Sequence, residues 1–312
     1  MGTRVNFVAV TSERCDETRA RAAIDRAIAE IKRLESLMTT WKDDSEVSRI
    51  NQSAGRTADR VGPETLGVID KSLWMSGRSG GVFDITFEVM HGLWRFDQDV
   101  DPHPPSASAV AERRKLIGYR HVIVDREKST VFLDDPKTKI SLGGIAKGYA
   151  IDRAAEVLLA DGVEDFLAQA GGDLYVHGHR ADGSAWIAGV RDPRGPEGSY
   201  FARMAVEDHA FSTAGDYERS FMKDGKRYHH IIDPRTGYPA TASRSVTIWA
   251  KDAFTADAVD DAVFILGPTK GLALVESLDG VGAVIVDKDN KVWVSKRLES
   301  HLQRLRQPKN AP

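Results

Sequence analysis

The stretch that most constrains the fold is 253–266, AFTADAVDDAVFIL, closed by Gly267 and Pro268. A helix with apolar residues all round must be buried all round. Yet this one carries Asp257, Asp260 and Asp261. On a helix, positions i, i+3 and i+4 share a face, so the three acids converge. Like charges at that spacing repel, no Lys or Arg lies inside the stretch, and unpaired burial is costly. Two readings stay open at this point. A hard cation such as Mg²⁺, which takes carboxylate oxygens in an octahedral shell and is often shared with substrate phosphates, removes both problems. A solvated acidic face on an amphipathic helix removes them too.

Around this helix the pattern predicts a mixed architecture. Residues 4–10 read as a strand and 16–39 as an amphipathic helix, with Ala22, Ile24, Ala27, Ile28, Ile31, Leu34 and Leu37 near one stripe. A polar loop, WKDDSEVSRIN, leads to a short helix starting near Ser45. Another helix covers 63–80, entered through Pro63. Residues 97–109 are Pro- and Asp-rich and read as an exposed loop before a short helix at 107–116. Strands are expected at 121–133 (two), in FLAQAGGDLYVHG and SAWIAGVRDP, and near 201–213, 226–232 and 243–250, with a helix at 146–160 between them. A second helical piece near 268–278 and the strand pair VGAVIVD and KVWVSK close the pattern, and residues 301–312 read as a frayed tail. Strands dominate the second half without strict alternation, which favours an α+β fold over a doubly wound sheet.

Composition excludes several function classes. The 312 residues are 41% hydrophobic and 29% charged, with a net charge of −3. A nucleic acid or an anionic membrane calls for a basic face, and the run Arg113, Arg114, Lys115 is too short to make one. Cys15 is the only cysteine, so neither an internal disulfide nor a thiolate metal site is available. No apolar run reaches transmembrane length. The opening MGTRVNFVAV reads as a strand and not as a signal peptide.

Four further stretches could carry chemistry. In SLGGIAKGYAID, residues 141–152, a Gly143-Gly144 turn precedes a helix, which offers backbone N–H groups and Lys147 to an anion. A tight packing turn explains the same glycines, and AGGDLYVHG at 170–178 has the same two explanations. In RYHHIIDPRTGYP, residues 227–239, His229 and His230 point to opposite sides of a strand, so at most one faces a given cleft. That one could act as a general base near neutral pH, or be satisfied in the core or at the surface. In GGVFDITFEVMHGLWRF, Asp84 lies among Phe83, Phe87, Trp94 and Phe96, which suit either a wall for a flat ligand or plain core.

Together and in this order, MTTWKDDSEVSRIN, GGVFDIT, SLGGIAKGYAID, AGGDLYVHG, GVRDP, STAGDYER, YHHIIDPRTGYPA and ADAVDDAVFILG resemble the ApbE family, the FAD:protein FMN transferases. The resemblance runs from residue 1 to about 285. It implies an α+β core of the T-fold-like kind, a single catalytic unit over 1–312 with a smaller lobe, and FAD in the cleft between. It implies Mg²⁺-dependent transfer of the FMN half of FAD, as substrate, to a Ser or Thr hydroxyl of an acceptor flavoprotein subunit, with release of AMP. An FAD pyrophosphatase giving FMN and AMP is the alternative on the same site, and a flavin-binding or storage protein is the reading without chemistry. Carried over position by position, the resemblance puts metal ligands at Asp257, Asp260, Asp261 and the backbone oxygen of Ala146. It puts flavin and phosphate contacts at Met1, Trp41, Val82, Phe83, Asp84, Gly143, Tyr149 and Ile232, and the base at His230. Relatives usually carry Thr at position 261 and often Tyr at position 41. Acceptors in the family often belong to membrane redox complexes, so the resemblance also implies an extracytoplasmic location.

Overall fold

The computed structural model describes residues 2–96 and 99–311. The chain opens with β1 (Val5–Ala9), α1 (Glu17–Met38), α2 (Glu46–Ser53), β2 (Asp59–Arg60) and α3 (Pro63–Arg78). A 3-10 helix at Ile85–Met90, α4 (Ala107–Arg114), β3 (Val122–Asp125), β4 (Thr130–Leu133) and α5 (Ala146–Ala160) follow. Then come β5 (Phe166–Ala170), β6 (Asp173–His177), β7 (Trp186–Arg191), β8 (Tyr200–Val206), β9 (His209–Gly215), β10 (Ser220–Lys223) and β11 (Lys226–His229). The last elements are β12 (Ile232–Asp233), β13 (Tyr238–Pro239), β14 (Ser243–Ala250), α6 (Ala253–Glu276), β15 (Gly282–Asp287), β16 (Val292–Val294) and β17 (Gln303–Arg304).

Helix starts follow local chemistry. Asp16, Ser45, Ser106 and Asp252 each accept the N–H three residues on, capping α1, α2, α4 and α6. Gly62 and Pro63 open α3 without a side-chain cap. The long α6 is two helical pieces that meet at Gly267, whose φ of 72° is left-handed, followed by Pro268. The two helical pieces expected from the sequence are both present and meet at this joint.

Seven antiparallel strands form the main sheet in the order β1-β5-β6-β9-β14-β15-β16. Both of its faces are buried, and β15 shows how. Ala283 and Ile285 pack into the core with Ile31 and Leu34 of α1, Ile151 and Leu158 of α5, and Val259 and Val263 of α6. Val284 and Val286 point the other way, into a second core with Trp186, Val190, Phe201 and Met204 of β7 and β8. The small sheet β17-β8-β7 therefore covers the face the helices leave open. A third core gathers Val89, Met90, Trp94, Val110, Phe221 and Ile232 beyond the sheet. The arrangement is the expected α+β class.

The structure differs from the expected strand near 201–213. The chain turns at Asp208, where φ is 46°, and makes two strands in different sheets. Residues 303–311, expected to fray, are bonded to the body. Leu305 N donates to the Phe201 carbonyl at 2.9 Å, Asn290 Nδ2 to the Pro308 carbonyl at 2.9 Å, and Lys309 N to both oxygens of the buried Asp192 at 3.1 and 3.2 Å. No helix among the described residues is long and apolar enough to cross a membrane.

Candidate active site

The site begins where α5 and α6 cross. At Gly148 a Cβ would stand 2.2 Å from the Ala253 carbonyl oxygen, so only glycine lets the helices approach this closely. The crossing brings the first turn of α5 onto Asp257. Gly148 N donates to Asp257 Oδ2 at 2.8 Å, one of the N–H groups that a helix start leaves unpaired. Lys147 Nζ donates to Asp257 Oδ1 at 2.9 Å and lies 3.0 Å from Asp173 Oδ2. Asp257 is thus held by both of its oxygens.

Asp173 is the candidate site residue that sequence reasoning missed. It opens β6 directly after Gly171-Gly172, and its side chain is buried beside Asp257 and Asp260. Ligand oxygens of these three acids lie within 4.8 Å of one another, the one such group among the described residues that could hold a metal ion. Ser212 of β9 joins them from the sheet, its hydroxyl 2.6 Å from Asp260 Oδ2 and also against Asp173 Oδ1. One hydroxyl has a single proton and can donate to only one of two carboxylates. The only sequence signal for Asp173 was its place after a glycine pair.

Burial disfavours charge at Asp173, Asp260 and Lys147. It pushes Asp260 well above the usual carboxylate range, with Asp261 and Asp257 adding to the effect. Burial and then Asp257 push Asp173 up to about 6, against the pull of Lys147. Burial also works against the Lys147 ammonium, but Asp173, Asp257 and Asp260 outweigh it and hold it well above its ordinary value. The stretch itself contains no cation, and the one that pairs with its acids comes from α5.

Asp261 stands apart from the three. Its carboxylate faces the glycine turn, with Oδ2 3.3 Å from where a Gly144 Cβ would be. Phe83 reaches the same point, its ring 4.0 Å away. Burial pushes Asp261 up to about 7. Ala146 opens α5 immediately before Lys147, so its backbone lies at the edge of the cage. Gly143 N donates to Ser141 Oγ at 3.3 Å, and Ser141 N donates to the Ile85 carbonyl at 2.9 Å, which fastens the turn to the segment after Asp84.

The other expected contact positions divide into surfaces and supports. Val82 and Phe83 are buried, and Phe83 faces the turn. Both oxygens of Asp84 are engaged: Oδ1 accepts from Thr86 N and Oγ1 at 2.9 and 2.6 Å, and Oδ2 from Tyr119 N at 2.7 Å. Its side chain therefore braces the loop. Tyr149 is partly buried and packs edge-on against Phe254 at 5.1 Å. The Ile232 side chain lies in the third core. Trp41 is 75% exposed. Met1 lies outside the described residues.

The two histidines separate cleanly. His229 Nε2 donates to the Ala240 carbonyl at 2.8 Å, its Nδ1 accepts from Ile231 N at 3.3 Å, and its ring packs on Phe264. It is a satisfied core residue. His230 has a buried Nδ1 with no hydrogen-bond partner. Burial, then the charges around it including Arg219 and Lys147, push it down to about 3, so the ring is neutral. A neutral imidazole with an open nitrogen, within the field of the Lys147 cage, can accept a proton.

Known proteins share this arrangement of chain. The sequence profile of the ApbE family matches residues 1–285. A FAD:protein FMN transferase of Klebsiella pneumoniae is 31% identical over 311 residues, covering 97% of this chain and 87% of its own. One of Treponema pallidum is 32% identical over 290 residues, covering 88% and 79%. Among solved structures, the ApbE protein of Thermotoga maritima matches with a TM-score of 0.86 at 32% identity over 96% of each chain. The flavin transferase ApbE from Vibrio cholerae matches at 0.84 and 28% identity, again over 96% of each chain. The chain belongs to the ApbE family.

Proposed function

We propose that this protein moves the FMN half of FAD onto a serine or threonine hydroxyl of an acceptor protein, forming a phosphoester and releasing AMP. The observation that carries this reading is the buried carboxylate cage set against a glycine turn and helix start, in a chain whose curated relatives are named FAD:protein FMN transferase.

The donor set fits Mg²⁺, which the family implies. Asp173, Asp257 and Asp260 offer hard oxygens at close quarters, and their charge exceeds what Lys147 balances. Asp173, Asp257 and Asp260 would hold the ion, with the Ala146 carbonyl and Asp261, the other two positions the family resemblance implies, alongside. Bound there, Mg²⁺ supplies positive charge to the pyrophosphate oxygens and to the leaving AMP.

The chain's own residues do the rest. Gly143 and Gly144 let a phosphate approach the backbone at the start of α5, where N–H groups favour anions. Phe83 walls the turn and limits water. The acceptor hydroxyl oxygen attacks the FMN-side phosphorus, the bond to the AMP-side bridging oxygen breaks, and the hydroxyl proton passes to His230 Nδ1. His230 is a weak proton acceptor while its neighbours are cationic, and a bound pyrophosphate brings the negative charge that raises it. Positioning and electrostatics carry most of such a reaction, and the base adds roughly 10²–10⁴-fold.

The test is incubation with FAD, Mg²⁺ and a panel of acceptor flavoprotein subunits, read by in-gel flavin fluorescence and AMP release. Covalent flavin that requires Mg²⁺ and an acceptor Ser or Thr is expected. AMP released at the same rate without acceptor would assign an FAD pyrophosphatase instead. Neither product would defeat both readings.

A further inference from the structure

Trp41 is a large apolar side chain left 75% exposed, on a loop that is otherwise braced. Trp41 N donates to Thr39 Oγ1 at 3.1 Å, and Ser45 Oγ to the Thr39 carbonyl at 2.5 Å. From α2, Arg49 and Gln52 donate to the carbonyls of Asp44 and Asp43 at 2.9 and 3.1 Å. The backbone around Trp41 is thus fixed while its indole stands free. The ring has one aromatic neighbour among the described residues, His91, at 5.5 Å between centroids and 68° between planes. That edge contact steadies the indole without covering its face.

His91 is itself held. It caps the 3-10 helix Ile85–Met90, its N–H donating to the Glu88 carbonyl at 2.9 Å, and its Nδ1 lies 3.6 Å from Glu88 Oε1. The Glu88 side chain is only 12% exposed. This is an unusual place for a carboxylate, and Lys139 is the one charge that eases it. The helix begins beside Phe83 and is fastened by Ile85 to Ser141, in the segment that leads into Gly143. At about 2 Å per residue it spans roughly 12 Å, so His91 at its end, and the Trp41 ring that His91 touches, lie about a helix length from Phe83, a reach that suits a ring end of an extended dinucleotide.

We propose that His91, set by its backbone at the end of the 3-10 helix, is a positioning residue that props Trp41 edge-on, so that the free indole face stacks on a planar ring of bound FAD. This rests on the flavin reading of the site. His91 acts through Trp41 and touches no reacting atom. It therefore sets substrate affinity and leaves the chemical step alone.

The experiment uses protein labelled with 5-fluorotryptophan, in which Trp41→Phe identifies the Trp41 ¹⁹F resonance, together with FAD titration and steady-state kinetics. His91→Ala is expected to shift and broaden the Trp41 resonance in the free protein. It is also expected to raise the Kd and KM for FAD by about tenfold, with kcat changed less than twofold. His91→Phe keeps an edge-on ring and should restore both signal and affinity. An unmoved Trp41 resonance and unchanged Kd in His91→Ala would overturn the proposal, as would a His91→Phe variant that binds no better than His91→Ala. Trp41→Ala separates the two levels. If it leaves FAD binding intact, the placement of flavin at this face fails. If it weakens binding while His91→Ala does not, only the propping role fails.

Discussion

Replacing Lys147 with Met tests the electrostatics of the cage most directly. Met keeps most of the aliphatic stem, so the main loss is the charge. Nζ stands 2.9 Å from Asp257 and 3.0 Å from Asp173, whose side chains are 1% and 2% exposed. Removing one partner of a buried ion pair leaves the other uncompensated and costs roughly 3–5 kcal/mol. Part of that cost is avoidable, because the acids can take up protons. Asp173 is already pushed up to about 6 and Asp260 well above its ordinary range. Raised folded-state values mean that stability is present at low pH and lost as pH rises through them, and the substitution raises them further. The deficit should therefore be small at pH 5 and nearly full at pH 8. At about 2 °C per kcal/mol for a large domain, that is roughly 6–10 °C in Tm at pH 8. The assay is thermal unfolding of wild type and Lys147→Met in chelator and in Mg²⁺ at both pH values. Mg²⁺ should restore much of the lost stability, because it supplies the missing charge to the same oxygens. A variant within 2 °C of wild type at pH 8 in chelator would refute the claim that Lys147 balances the cage. Equal stabilisation of both proteins by Mg²⁺ would refute the claim that ion and ammonium share these carboxylates.

Three further outcomes are expected. Burial pushes the Glu88 carboxyl from 4.5 to about 7; its contribution is full below 4.5 and falls through 7, by up to about 3 kcal/mol. Glu88→Gln should therefore match wild type in urea unfolding at pH 4 and exceed it at pH 8. His230→Ala should lower flavin transfer by roughly 10²–10⁴-fold with little change in Tm, whereas His229→Ala should lose stability, about 2–4 kcal/mol for a buried, doubly bonded ring. Activity and unfolding measured on both variants would check this, and the opposite pattern would reverse the assignment of the two histidines. Asp257→Ala removes the partner of both Lys147 and Gly148 N, and should abolish Mg²⁺-dependent turnover while FAD binding, followed by fluorescence quenching, partly survives.

Much of the fold was legible because it is written in local signals. The caps at Asp16, Ser45, Ser106 and Asp252 announce their helices, and Gly267-Pro268 marks the joint in α6. The β8–β9 boundary was not legible, because the turn at Asp208 uses a left-handed non-glycine residue and lacks Gly or Pro. The ion pair between Lys147 and Asp257 joins residues 110 apart, and Asp173 meets Ser212 across two strands. Such partners are set by which elements the sheet and helices bring together, and no spacing along one segment reveals them.

The three acids of α6 show where helical spacing informs and where it stops. At about 100° per residue, Asp260 and Asp261 fall on either flank of Asp257 and lie about 100° from each other. They share a broad face without pointing at one spot. On an exposed helix that spread would be of no consequence. Over residues 256–265, where α6 is packed against several elements, each direction meets a different neighbour. Asp257 meets the first turn of α5, Asp260 meets Ser212 on the sheet, and Asp261 meets the glycine turn. Burial of the first half of α6 and the placing of its three acids are therefore one design and not a conflict. Only a helix surrounded by the other elements can bring carboxylates at once to a helix start, to a sheet and to a phosphate-sized turn. A surface helix with the same sequence spacing could reach one of them at most.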